Sequence, residues 1–205
     1  MIDSLISITE SGEFEDSGEI FLQKFERSPS ELLLHLKINL GTDFKSQLWI
    51  IKCINPIKFQ VDDEFVGNLE LITEHVLLWP LQKLETDLFF YSAAANPSQI
   101  VGALYEQHMK ITGGWFSFNQ FTNGEIALTK LLSSNSGKIA RGPVPLLQAY
   151  QEVLNDFKIK NSILEPRPSK RWENGMWVEN TTPFQLLLLG KSYVIAENIA
   201  AAPAP

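Results

Sequence analysis

A single cysteine, Cys53, stands in a chain of 205 residues. No disulfide can close within the chain, no cysteine-based metal cluster can be built, and the missing disulfide framework favours a reducing compartment. Histidine is nearly as scarce, with only His35, His75 and His108. Bases are outnumbered, 17 Lys and Arg against 24 Asp and Glu, for a formal charge of −7. Binding to nucleic acid rests on clustered Lys and Arg, so no nucleic-acid partner is expected. No apolar run approaches the roughly 20 residues that cross a bilayer. Leu186–Leu189 is a strand-sized run, and Met1-Ile-Asp-Ser lacks the basic start of a signal peptide. Together these absences predict a cytoplasmic protein with no membrane segment.

What is present suits a packed domain. Hydrophobic residues make up 44% of the chain and include thirteen Phe and five Trp, enough large side chains for a sizeable core. Leu32, Leu34, Leu36, Ile38 and Leu40 alternate with Leu33, His35, Lys37 and Asn39, the period-two signature of a half-buried strand. Further strands are expected over about 48–54, after a bulge or edge at Pro56, over 57–61 and 69–73, and at Leu88–Tyr91, with turns at Gly41-Thr-Asp43 and Asp62-Asp63-Glu64. Short turns between consecutive strands favour antiparallel pairing. Asn96-Pro97 and Gly113-Gly114 bracket a helix, and Ile126–Leu132 reads as a further one. Pro143 opens another, with Leu146, Leu147, Tyr150, Val153, Leu154 and Phe157 on one stripe. Asn174-Gly175 between Trp172 and Trp177, and Gly190-Lys191 between two apolar runs, are hairpin turns. The fold class is therefore α+β: a mainly antiparallel sheet from the N-terminal half, packed against helices in 97–158, with C-terminal β-hairpins. Residues 1–19 read as an acidic lead-in, frayed or forming an edge strand, 20–197 as one domain, and 198–205 as a flexible Ala/Pro tail.

Motifs of chemistry are weak. Gly190-Lys191-Ser192 ends like a phosphate-binding loop, but the glycine that loop needs five residues earlier is Gln185. Asp62-Asp63-Glu64 lacks the spaced ligands and central glycine of a calcium loop. Cys53, among Ile50, Ile51 and Ile54, reads as a small buried apolar residue rather than a nucleophile. No metal set and no cofactor are expected. Two constellations remain. His108 falls on the Leu104–Ile111 stripe and His75 shares the parity of Leu69 and Leu71, so both are expected to point inward. The bland reading makes them core histidines bonded to Glu74, Glu106 or Tyr91. The sharper one makes them a catalytic or ligand-binding pair oriented by Glu74 or Glu106. Trp79, Trp115, Phe118 and Phe121, with Phe116, form either a recognition surface or a core plug.

His75-Val-Leu-Leu-Trp79-Pro, Leu88-Phe-Phe-Tyr91, Leu104-Tyr-Glu-Gln-His108 and Trp115-Phe-Ser-Phe118-Asn-Gln-Phe121 occur in that order. Over about residues 70–150 this resembles an uncharacterised family of bacterial proteins with a His-x-Leu-Leu-Trp segment and a Tyr-Glu-x-His helix. The resemblance implies a natural bacterial domain and carries no activity with it. The expected function is a non-enzymatic intracellular interaction module, adaptor- or immunity-like, with a protein partner of basic character met by the acidic charge. The rival is an enzyme or small-ligand site near His75 and His108.

Overall fold

A computed structural model describes residues 2–12, 14, 18–40, 45–61, 65–173 and 175–204. The turns expected at Gly41-Thr-Asp43 and Asp62-Asp63-Glu64, and Asn174 of the hairpin turn, lie outside the described residues. The protein is α+β, and every strand pairing described is antiparallel. Its contacts cluster in two compact units: one made of residues 1–75 with 182–205, the other of Val76–Thr181, inserted between them in the chain.

The first unit starts with helix α1 (Ile2–Thr9) and strands β1 (Glu19–Arg27), β2 (Glu31–Leu40), β3 (Lys45–Gln60), β4 (Phe65–Val66) and β5 (Leu69–Ile72). Its sheet has seven strands, in the order β4-β1-β2-β3-β12-β11-β5, with the C-terminal hairpin β11 (Gln185–Leu189) and β12 (Ser192–Pro203) inserted beside β3. β4 and β5 lie at opposite ends of that order, yet only Gly67 and Asn68 separate them in the chain. Three Cα–Cα steps span at most about 11 Å, so the sheet must curl until its edges meet. The consequence is a single interior. Leu32, Leu34, Leu36 and Ile38 point into it, as the alternation predicts, together with Ile20, Ile51, Cys53, Val194 and Leu187. A small curled sheet of this kind is filled by side chains rather than left hollow.

Three local features follow from the chain. Pro56 takes part in β3, and the β3–β12 register slips between Ile195 and Ala196 opposite it, the bulge expected where a strand residue has no N–H to give. Asn55 enters that bulge with φ 49°, and its side-chain amide donates to Glu197 Oε2 at 2.8 Å. The N-terminal lead-in begins with α1. Ile2, Leu5 and Ile6 fall on one helical stripe, and Ile2 and Leu5 join the sheet's core while Asp3 faces water. The Ala/Pro tail is strand as far as Pro203. Ile199 and Ala201 are buried, and β12 pairs with β3 as far as Pro203 against Trp49, where a missing N–H at a strand end costs little.

The second unit holds a three-stranded sheet in the order β7-β6-β8, from β6 (Glu85–Phe90), β7 (Gly137–Pro143) and β8 (Asn161–Ile163). A short helix α2 (Trp79–Gln82) precedes it. Helices α3 (Pro97–Thr112) and α4 (Leu128–Leu132) lie between β6 and β7, and α5 (Val144–Asp156) follows β7. α5 packs on all three strands, and α3 packs on α5 and α4. The helices expected in 97–158 thus cover a sheet of their own unit. Asn96 caps α3 by accepting from the Gln99 N–H at 3.5 Å, and Gly113 ends it in the left-handed region at φ 59°. The unit closes with the hairpin β9 (Lys170–Glu173) and β10 (Met176–Glu179).

Candidate functional site

Ile100, Leu104, His108 and Thr112 recur every fourth residue along α3, and all four are buried. That spacing aims His108 at α5, where Leu146, Leu147, Tyr150 and Leu154 make the facing stripe. His108 has no exposed surface. Its Nε2 donates to the Phe116 carbonyl at 2.8 Å, and its Nδ1 lies 2.7 Å from the Tyr150 hydroxyl. A carbonyl can only accept, so Nε2 carries a proton. In the neutral ring Nδ1 is then the acceptor, and Tyr150 donates to it. Burial pushes the Tyr150 hydroxyl well above the usual tyrosine range, which keeps it a donor. Phe118 stands edge-on to the imidazole with centroids 5.5 Å apart, and Phe116 stands edge-on to Phe121 at 5.2 Å. His108 is therefore a joint. It ties α3 to α5 and draws the chain after Gly114 back over both.

The orienting carboxylates expected for it are elsewhere. Glu106 is exposed on α3, Glu74 is exposed, and the Tyr91 hydroxyl meets Ser162 Oγ at 2.8 Å. His75 does not have the buried strand position that its parity suggested. β5 stops at Ile72 opposite Leu186, so the alternation is lost before His75, which is half-buried ahead of a turn of 3-10 helix at Val76–Leu78. Desolvation lowers its pKa below the ordinary histidine value, and the Glu70 carboxylate works against that shift. His75 belongs to the first unit and His108 to the second.

The aromatic constellation lies within the second unit and divides by burial. Phe121 is buried, Phe118 is half-buried between Tyr105, His108 and Tyr150, and Trp79 and Trp115 are half-buried. Cys53 is fully buried, and burial raises its thiol to about 12. Gly190-Lys191 is the turn of the β11–β12 hairpin, with Gly190 at φ 62°. Among the described residues no group of three or more His, Cys, Asp or Glu is placed to hold a metal ion. No helix of the described residues is long and apolar enough to cross a membrane.

A different surface stands out. On β9–β10, Trp172 pairs across the strands with Trp177 and Lys170 with Glu179, so these four side chains share one face. The two indoles meet edge to face, with centroids 5.4 Å apart at 73°. Trp172 remains 61% exposed and Trp177 65%, with Met176 at 59% on the other face. Beside the tryptophan face is a cavity of about 760 Å³ lined by Glu85, Arg141, Arg167, Pro168, Lys170 and Trp177. Arg167 Nη2 pairs with Oδ2 of the buried Asp87 at 2.7 Å, with Lys138 Nζ 3.7 Å from the other oxygen, and Arg141 Nη2 meets Glu85 Oε2 at 3.3 Å. Backbone hydrogen bonds between Glu85 and Arg167 fix the floor of this cleft. The sequence carries a signal for it. Trp172 and Trp177 flank the Asn-Gly pair amid charged neighbours, with no apolar alternation to bury them.

No family model, no curated protein and no solved structure matches the chain.

Proposed function

We propose that the chain is an intracellular protein-interaction module, adaptor- or immunity-like, that docks its partner on the β9–β10 hairpin. The observation that carries this is the exposure of Trp172, Met176 and Trp177 on so short an element. Tryptophan dominates binding hot spots because it presents a large rigid area at low entropic cost. The cross-strand indole contact steadies the hairpin, yet more than half of each ring is left in water. A structural rather than catalytic role for His108 supports the reading, since both its nitrogens are bonded to protein and its ring has no exposed surface. A buried free thiol at Cys53 suits a reducing cytoplasm.

Affinity capture from the native cells, with wild-type protein and with Trp172→Ser/Trp177→Ser, tests the reading. The double variant is expected to melt within about 1 kcal/mol of wild type, since it alters exposed positions, and to lose the captured partner. Identical captured proteins in both, or a turnover activity abolished in His108→Gln but not in the hairpin variant, defeats it.

A further inference from the structure

We infer that the partner presents an acidic segment with an adjoining apolar side chain, its carboxylates seated in the Arg141–Arg167–Lys170 cleft and its apolar group against Trp177. This deepens the interaction reading and rests on it. Three of the six residues lining the cleft are cationic and one is a carboxylate. Each arginine spends a single Nη2 contact on its carboxylate. A guanidinium has five N–H donors, so the remaining donors of Arg141 and Arg167 have no partner among the described residues. Lys170 has no carboxylate within ion-pair distance among them either. Asp87 and Glu85 hold the two guanidiniums in place, which lowers the entropy lost when a second acceptor binds. The indole of Trp177 lines the same space and continues to Trp172 on the same face, so charge recognition and apolar contact adjoin.

An acidic peptide fits this better than a nucleic acid. A phosphate backbone needs a track of cations. Here three cations converge on one cleft, Glu85 lines it, and Glu179 shares the tryptophan face. Across the second unit, 10 Lys and Arg face 9 Asp and Glu, which makes no general polyanion surface.

Fluorescence anisotropy of a short labelled peptide alternating Glu and Leu tests the inference, with a Lys/Leu peptide of equal length and a single-stranded oligo-dT as comparators. Lys170→Glu and Arg141→Ala are the variants, because both side chains are exposed and neither holds the buried Asp87. The expected result is saturable binding of the Glu/Leu peptide, weakened about tenfold by Lys170→Glu and less by Arg141→Ala. Added salt should weaken it further, and the Lys/Leu peptide should not bind. Absent binding, or equal binding by wild type and both variants, overturns the inference. So does tighter binding of oligo-dT, which makes the cleft a nucleic-acid groove. So does self-association abolished by Lys170→Glu, which gives the cleft to a second copy of the chain. If the peptide fails while Trp172→Ser/Trp177→Ser still loses its captured partner, the acidic preference falls and the interaction reading stands. If capture is also unaffected, both fall.

Discussion

Replacing His108 by Ala should be among the most damaging single changes in the second unit, and the size of the effect can be worked from its two hydrogen bonds. The substitution strips the Phe116 carbonyl and the Tyr150 hydroxyl of their partner. Tyr150 is fully buried, and so was the ring that bonded it, so water does not replace the lost contacts. An unmet buried polar group costs about 1–3 kcal/mol, and a ring-sized void adds to it as in other large-to-small core changes. Partial collapse of the neighbouring Phe118 and Phe121 recovers some of this. A net loss of about 3–5 kcal/mol is expected, a large part of the roughly 5–15 kcal/mol that holds a domain folded. Tyr150→Phe removes one hydroxyl, leaves Nδ1 unpaired and opens no void, so about 1–2 kcal/mol is expected. Urea denaturation followed by tryptophan fluorescence and by circular dichroism measures both. The shift belongs to the transition of Val76–Thr181, if the two units melt separately. A midpoint for His108→Ala within about 0.5 kcal/mol of wild type, or a larger loss for Tyr150→Phe than for His108→Ala, would refute the structural role of this joint.

Three further outcomes are expected. Cys53, with its thiol raised to about 12 by burial, should not react with Ellman's reagent in the native protein at mildly alkaline pH and should react at once in denaturant; rapid native labelling would show that β3 opens locally. Arg167→Ala should cost about 2–3 kcal/mol by leaving the buried Asp87 with only the longer Lys138 contact, and Asp87→Asn should relieve part of that loss in the double variant; strictly additive losses would mean that the pair is not coupled. His75 has a folded pKa below its unfolded value of about 6.5, so the unfolded chain binds more protons and stability rises with pH through that window. It is lost as pH falls through about 6.5 toward the folded value, and His75→Gln should flatten that slope in melts; an unchanged slope would assign the dependence to another group.

Much of the fold could be read from the chain because local signals agreed with tertiary demands. The Leu32–Ile38 alternation, the Asn96 and Gly113 ends of α3 and the Gly190-Lys191 turn each needed only neighbouring residues, and each appears as read. The closure of the first sheet was not legible. β11 and β12 sit between β3 and β5 although more than a hundred residues of chain intervene, and periodicity carries no information about pairing partners at that separation. α1 was not legible, because the acids spread over residues 3–19 outweigh the three-residue apolar stripe of Ile2, Leu5 and Ile6. His75 failed for a related reason: parity holds only while the strand lasts, and pairing with Leu186 decides where β5 ends. His108 was legible as buried, but not its partners. Tyr150 is 42 residues away and Phe116 contributes a backbone atom, which no pattern of side chains displays.

The charge balance illustrates the same limit and bears on the partner. A net charge of −7 favours a basic partner when the chain is taken whole. Divided by unit, the first carries 15 acids against 7 bases, whereas the second is nearly balanced and gathers Arg141, Arg167 and Lys170 at one cleft. At physiological ionic strength charges are screened over about 8 Å, so a docking segment responds to the few groups it touches rather than to the total. The acidic excess then governs solubility and long-range repulsion. On the interaction reading proposed above, the sign of a ligand at the tryptophan hairpin is set locally, by cations whose donors are only partly used.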